Sequence, residues 1–400
     1  ITVARVFLIR KFICMRGVRT FTLYRARSHL KISQVRFHLC RQALQRPIPL
    51  SCGILSHRNF GIIEIETDAG ITGWGETSIN FPPWAAHERK ATIEQGLAPL
   101  LIGRDPLEVD RLVRDMQQAT RGFTRMWAQG AISQAISGID LALWDIAGKE
   151  YGVPVWKLLG GNYRNEVQLY ATGMRTDDIV AGALEAVAAG YQTIKVRTGF
   201  DDVKDVENVH RVRDAIGPEI GLMIDANQAY DLPRARRVLR QLAAVKPYWV
   251  EEPVLTDDLV AWRQLRTEFP DIPLAWGENA FSLQDYVAMG NPMLVDYVMP
   301  DPCRSGGLSQ SVRMARHAHD QGISISPHHY GSDIGFAACL HLVASQPNFS
   351  LMLRDVADVA LRDNIIATPF EIREGAVAVP QTPGMGFDIN HTLLEETRVD

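Results

Sequence analysis

The sequence predicts an α/β fold: a (β/α)8 TIM-type barrel with an N-terminal α+β capping domain. Beyond Pro154, eight short strand-like segments recur, each followed by a stretch long enough for a crossover helix. Before Pro154 the order differs, strands first and then helices, which describes a separate α+β unit. The length agrees: 400 residues exceed one ordinary domain and accommodate a barrel of about 250 residues with a smaller partner.

Residues 1–30 carry Arg5, Arg10, Lys11, Arg16, Arg19, Arg25 and Arg27 and no acidic residue. They read as a non-native or disordered extension with Leu30 as an alternative initiator, and the acid-free, arginine-rich composition also fits a transit peptide. The capping domain is expected over 31–155. It opens with period-two segments, Ile32–Phe37 and Gly61–Thr67, then a turn at Asp68-Ala69-Gly70 and the segment Ile71–Glu76, an antiparallel meander. Ile132, Ile136, Ile139, Leu143 and Ile146 follow at helical spacing, with Gly148 and Gly152 near the end.

The barrel is expected over 156–365, with strands at Val167–Ala171, Thr193–Val196, Gly221–Asp225, Tyr248–Glu251, Pro273–Gly277, Val295–Met299, Ile323–Ser326 and Ser350–Leu353. Residues 366–400 have strand and turn character and are expected to pack back on the cap. A Rossmann fold would need GxGxxG after its first strand, and none is present.

Composition narrows the function classes. Hydrophobic residues are 46% and charged residues 22% of the chain, as in globular proteins. Mean hydropathy is -0.07, and no apolar run reaches the roughly 18 residues of a membrane-spanning helix. A net charge of -4 makes no electrostatic case for nucleic acid. Cys14, Cys40, Cys52, Cys303 and Cys339 show no CxxC pair or metal-ligand spacing and read as reduced thiols in a cytoplasmic protein.

Catalytic groups of such barrels stand at the C-terminal ends of strands. Asp225, Glu251 and Glu278 end strands three, four and five. Neighbouring strands lie about 5 Å apart, so the three carboxylates converge on one hard cation, and all-oxygen ligation suits Mg2+. Lys195 and Arg197, two residues apart on strand two, point to the same side and suit a substrate carboxylate. Asp301 and His328 end strands six and seven, and a carboxylate that orients an imidazole makes a general base. Together they describe removal of the α-proton from a small-molecule carboxylate, with cations neutralising the enediolate that forms.

These residues resemble the enolase superfamily, specifically its mandelate racemase subgroup. The matching passages are Gly138–Asp145, Leu158–Gly161, Asp225-Ala226-Asn227, Val250–Pro253, Gly277-Glu278-Asn279, Met299-Pro300-Asp301 and Gly306-Gly307, spanning 31–400. The resemblance implies Mg2+ on Asp225, Glu251 and Glu278, an Asp301–His328 base, an N-terminal domain that closes over the site, and dimers or octamers.

The chain departs from the subgroup twice. The second lysine of its strand-two Lys-x-Lys motif, a base for one substrate face, is here Arg197, which stays protonated at neutral pH. Leu353 aligns with the glutamate of mandelate racemase that bonds the substrate carboxylate, beside Arg354 and Asp355. Both departures favour a one-base reaction, dehydration of a sugar acid to a 2-keto-3-deoxy acid. A racemase, epimerase or lactone cycloisomerase is the alternative, and a barrel that has lost its activity is a third reading. The expected substrate contacts are Asn227, Arg175, Tyr330, His57 and Arg58 in the loop from Arg46 to Arg58, and Asn80 in the segment Ser78–Trp84, a set that suits a hydroxylated substrate, including a diacid.

Overall fold

The computed structural model describes residues 30–399 except 51–52, 83, 125–128, 175–177 and 291–293. The expectations for residues 1–29 and for Arg175 lie outside the described residues.

Three antiparallel strands, β1 (Ile32–Leu50), β2 (Gly53–Thr67) and β3 (Thr72–Thr77), form the N-terminal sheet. Their period-two pattern turns Phe37, Ile63 and Ile65 onto the helix Gln129–Tyr151, where they meet Ile136, Ile139, Leu143 and Ile146. Each such side chain contributes roughly 1.5–3 kcal/mol on burial. β3 lies against the helix backbone itself. A Cβ on Gly73 would stand 2.2 Å from the Ala142 carbonyl oxygen, and one on Gly75 2.1 Å from that of Gly138. Only glycine permits that approach, and the alternation sends Trp74 and Glu76 to the opposite face.

Residues 46–50 and 53–58 are strand, not loop. β1 and β2 run on through them as the two arms of a hairpin, with Ile48 opposite Leu55 and a register shift between Ala43 and Ile48. The backbone pairing continues where the apolar alternation has stopped, and for that reason the sequence pattern misses it.

Eight parallel strands follow: β4 (Glu166–Thr172), β5 (Thr193–Arg197), β6 (Gly221–Asp225), β7 (Trp249–Glu251), β8 (Leu274–Trp276), β9 (Tyr297–Val298), β10 (Ser324–Ile325) and β11 (Met352–Asp355). They pair in sequence order from β4 to β10, and β11 pairs with β4. Ile325 bridges to Phe349, just before β11, which closes the ring. Each strand overlaps one expected from the sequence. The last one runs two residues further, to Asp355, because Arg354 and Asp355 still pair with Ala171 and Thr172. The ring is filled by Tyr170, Met223, Trp249, Ala275, Met299 and Leu353, with the Tyr170 and Trp249 rings edge-on at 5.5 Å.

The C-terminal segment touches both parts. β12 (Ile372–Arg373) pairs with β13 (Ala376–Ala378), and β13 extends the barrel sheet antiparallel to β4. The Val399 N–H then donates to Leu39 O on β1. Polar residues of the helix Gln129–Tyr151 join the two domains. Ser137 Oγ accepts from Gly306 and Gly307, Asp140 accepts from the Ser309 N–H, and Asp145 accepts from Trp74 and Met385. Among the described residues no helix is long and apolar enough to cross a membrane, and Cys40, Cys303 and Cys339 are buried.

Candidate active site

Parallel register sets the heights of the strand-end groups. Arg197 stands opposite Asp225, and Asp225 opposite Glu251, so the three form a row across β5, β6 and β7. Glu278 follows β8, where Gly277 has φ 132° and a Cβ added to it would stand 2.9 Å from Met299 N, so the position favours glycine. All three carboxylates are buried. Lys195 stands one layer lower, level with Met223, and its ammonium reaches up to Glu251 Oε2 at 2.7 Å and Asp225 Oδ2 at 3.4 Å. Arg197 Nε lies 3.8 Å from Asp225 Oδ2.

His328 links the other side. Its Nδ1 lies 2.7 Å from Asp301 Oδ2 and its Nε2 3.0 Å from Glu278 Oε2. Asp301 is itself held by backbone, Oδ1 accepting from the Cys303 N–H at 2.7 Å. With Nδ1 turned to Asp301, Nε2 is the nitrogen directed at the strand-end carboxylates, the orientation a base needs.

The charges do not balance locally. Burial first, and the Asp225 charge second, raise the Glu251 carboxyl to about 8 against the pull of Lys195. Burial would also raise Glu278, but His328, Arg304, Lys195 and Arg197 outweigh it and hold that carboxyl at about 2. Burial would lower the Lys195 ammonium, and Asp225 and Glu251 hold it well above its ordinary value instead. Glu252, buried beside Glu278 and Glu251, is pushed well above the carboxylate range. Among the described residues, three buried carboxylate oxygens of this cluster, Asp225 Oδ2, Glu251 Oε1 and Glu252 Oε1, accept no hydrogen bond. Crowded carboxylates with spare oxygen lone pairs and excess negative charge are the donor chemistry that fits a hard divalent cation.

Beside this cluster a cavity of about 560 Å³ opens between the hairpin and the barrel, with Ile48, Thr172, Met174, Lys195, Arg197 and Tyr330 in its wall. The other expected substrate contacts lie elsewhere. Arg58 is fully buried, bound to Asp355 Oδ2 at 2.6 Å and to Tyr330 O at 2.9 Å. Asn80 Oδ1 accepts from the Asn59 N–H, and its amide reaches Tyr330 O at 3.4 Å. His57 is exposed beside Ser56. Asn227, in left-handed conformation at φ 46°, directs its amide at Glu278 Oε1, 3.4 Å away. Leu353 belongs to the apolar filling of the barrel, and Asp355 is the acid at the end of strand eight.

Sequence reasoning missed three residues here. Arg304 donates to Asn279 Oδ1 at 2.6 Å and lies 3.6 Å from Glu278. Asn279 donates to Glu252 Oε2 at 2.8 Å. Glu76, from β3 of the cap, accepts the N–H groups of Ser332 and Gly335 and the Ser332 hydroxyl at the start of the helix Asp333–Ala344. Its parity with Trp74 was the available signal; nothing local marked Arg304.

The comparisons with known proteins match both domains. Residues 33–160 match the mandelate racemase / muconate lactonizing enzyme N-terminal domain, and 178–393 match the enolase C-terminal domain-like family. The chain is 33% identical over 388 residues to a D-galactarolactone cycloisomerase of Agrobacterium fabrum, covering 92% of this chain and 99% of that protein. It is 32% identical over 355 residues to a D-galactonate dehydratase of Xanthomonas euvesicatoria pv. vesicatoria, covering 84% and 90%. A racemase from Streptomyces coelicolor A3(2), solved with bound magnesium, superposes with a TM-score of 0.83 at 27% identity, covering 92% of this chain and 100% of its own. With both domain models matched in order and two such relatives aligned nearly end to end, the chain belongs to the mandelate racemase / muconate lactonizing enzyme family of the enolase superfamily.

Proposed function

We propose that the protein is a Mg2+-dependent acid-sugar dehydratase. The observation that carries the reading is the asymmetry of the site: an imidazole seated on Asp301 on one side, and on the other a guanidinium where a second base would have to stand. Asp225, Glu251 and Glu278 would hold the cation, which when bound supplies the positive charge that stabilises the substrate carboxylate as its α-proton leaves. Lys195 and Arg197 bind the same carboxylate and orient the α-carbon toward His328. His328 Nε2 takes the α-proton while Asp301 holds Nδ1 and stabilises the imidazolium. The imidazolium returns that proton to the β-hydroxyl, which departs as water, and the enol left behind tautomerises to the 2-keto-3-deoxy acid. Arg197 remains protonated and supports no proton transfer on the opposite face.

An isomerase working through the same α-proton step is the second reading. It is favoured by the cycloisomerase relative, whose match spans 92% of this chain against 84% for the dehydratase. A library of mono- and diacid sugars with Mg2+, assayed with semicarbazide for 2-keto products and by NMR in D2O for α-proton exchange, separates the two. A keto product abolished by EDTA is the expected result. Exchange or isomerisation without a keto product would replace the dehydratase by the isomerase. Arg197→Lys sharpens the outcome, because exchange gained on the opposite face would identify the arginine as the group that silences it.

A further inference from the structure

Arg58 comes from β2 of the cap, yet its guanidinium is buried among groups of the barrel mouth. Nη1 donates to Asp355 at the end of β11, and Nη2 donates to Tyr330 O in the segment after β10. The guanidinium carbon also lies 3.7 Å from the centroid of the Tyr330 ring, a stacking distance. Arg197 reaches the same ring at 5.8 Å, inside the roughly 6 Å range of a cation–π contact. The Tyr330 ring is therefore shared by two guanidinium groups, one from the cap and one from the row that also contains Asp225 and Glu251.

Other groups hold this arrangement in place. Arg362 Nη1 lies 3.4 Å from the Asp355 oxygen that Arg58 uses, and Asn80 reaches Tyr330 O from the cap. Among the described residues Arg197 makes no hydrogen bond that would fix it, and its side chain is 24% exposed, the most exposed of the charged groups in its row. A long side chain with one ion pair at 3.8 Å needs a surface to lie on, and Tyr330 supplies it.

We propose that Arg58 is a positioning residue: it clamps Tyr330 against Asp355 so that the ring seats Arg197 at the height of the strand-end carboxylates. Docking of the cap is thereby coupled to the geometry of the strand-two cation. The inference rests on the proposed role of Arg197 in binding the substrate carboxylate, but the contact network itself can be tested without a substrate.

The first test is a double-mutant cycle on stability by urea unfolding, using Arg58→Met, Arg197→Met and the pair, in the wild-type, Tyr330→Phe and Tyr330→Leu backgrounds. Independent sites multiply to within about twofold in the folding equilibrium. The expected result is a departure of about threefold or more with tyrosine or phenylalanine at 330, lost with leucine. Multiplicative behaviour in the wild-type background, or coupling that survives Tyr330→Leu, would overturn the shared ring. The second test is the same cycle in kcat per folded molecule with an acid that the enzyme turns over. Arg58→Met is expected to lower kcat about tenfold, Arg58→Lys to fail to rescue it because an ammonium cannot stack, and neither to add to Arg197→Met. Effects that multiply in kcat would reduce Arg58 to a structural residue. If no acid is turned over, the dehydratase reading fails while the stability cycle still decides the positioning.

Discussion

Tyr170, Met223, Trp249, Ala275, Met299 and Leu353 form one layer inside the barrel, and two residues further along the same strands stand Thr172, Asp225, Glu251, Gly277, Asp301 and Asp355. The backbone is the same and the burial nearly so, since Asp225 and Glu251 are 1% and 0% exposed. The chemistry is opposite. Apart from Lys195, which stands level with Met223 and reaches up to the carboxylates, the lower layer is apolar, and its burial stabilises the ring without any specific partner. In the upper layer each carboxylate loses hydration and crowds its neighbours, so it is tolerable only with a partner. Asp355 has its partners within the chain: burial would raise its carboxyl, and Arg58 and Arg362 hold it lowered instead. Glu251 lacks that balance and is pushed up. The layer that stabilises is thus separated from the layer that reacts by a single step of the strand pleat.

That separation can be broken or sharpened by experiment. His328→Asn is expected to lower kcat by at least about a thousandfold while calorimetry still detects Mg2+ binding, and retained turnover would remove His328 as the base. Met223→Ala, in the lower layer, should reduce unfolding free energy by about 2–5 kcal/mol with kcat per folded molecule within a few fold of wild type. A collapse of kcat there would mean the layers are not separable. Glu251→Gln, level with Arg197 and Asp225, should weaken Mg2+ affinity on the order of a hundredfold while changing the stability of the metal-free protein by no more than about 1 kcal/mol. Unchanged affinity would take Glu251 out of the ligand set.

The smallest effect belongs to the seam between the domains. Burial raises Glu76 from 4.5 to about 7 against its hydrogen bonds from Ser332 and Gly335. The folded chain then keeps a proton that the unfolded chain has lost between those two values. This contribution is therefore fully present below pH 4.5 and declines until about pH 7, by at most roughly 1.4 kcal/mol per pH unit. Urea unfolding at pH 5 and pH 7 should show a flatter dependence in Glu76→Gln. An unchanged slope would assign it elsewhere, with Asp140, raised by burial to about 7, the next group to test.

Much of this was legible in residue order. The eight strands were readable because each short apolar run is closed by a polar residue and followed by a helix-length interval. Asp225, Glu251, Glu278, Asp301 and His328 were readable because they stand at those closures. Arg58 was legible as a cation and not as what it does: its partners Tyr330 and Asp355 lie 272 and 297 residues away. Arg304 was invisible for the same reason, and Glu76 was marked only by its parity with Trp74 on β3.

Taken alone, the sequence determined which strands exist, which side chains share a face and which charges stand at the barrel mouth. Those properties follow from the two-residue period of a strand and its pairing with the next. Tertiary structure alone decided which charges are already paired and which are not. Asp355 and Arg58 neutralise each other across the cap–barrel boundary, Arg197 lies over Tyr330, and Asp225 Oδ2 and Glu251 Oε1 are left without a hydrogen bond among the described residues. Pairing depends on distances of a few ångströms between segments that meet only once the chain has closed, and no local pattern encodes them.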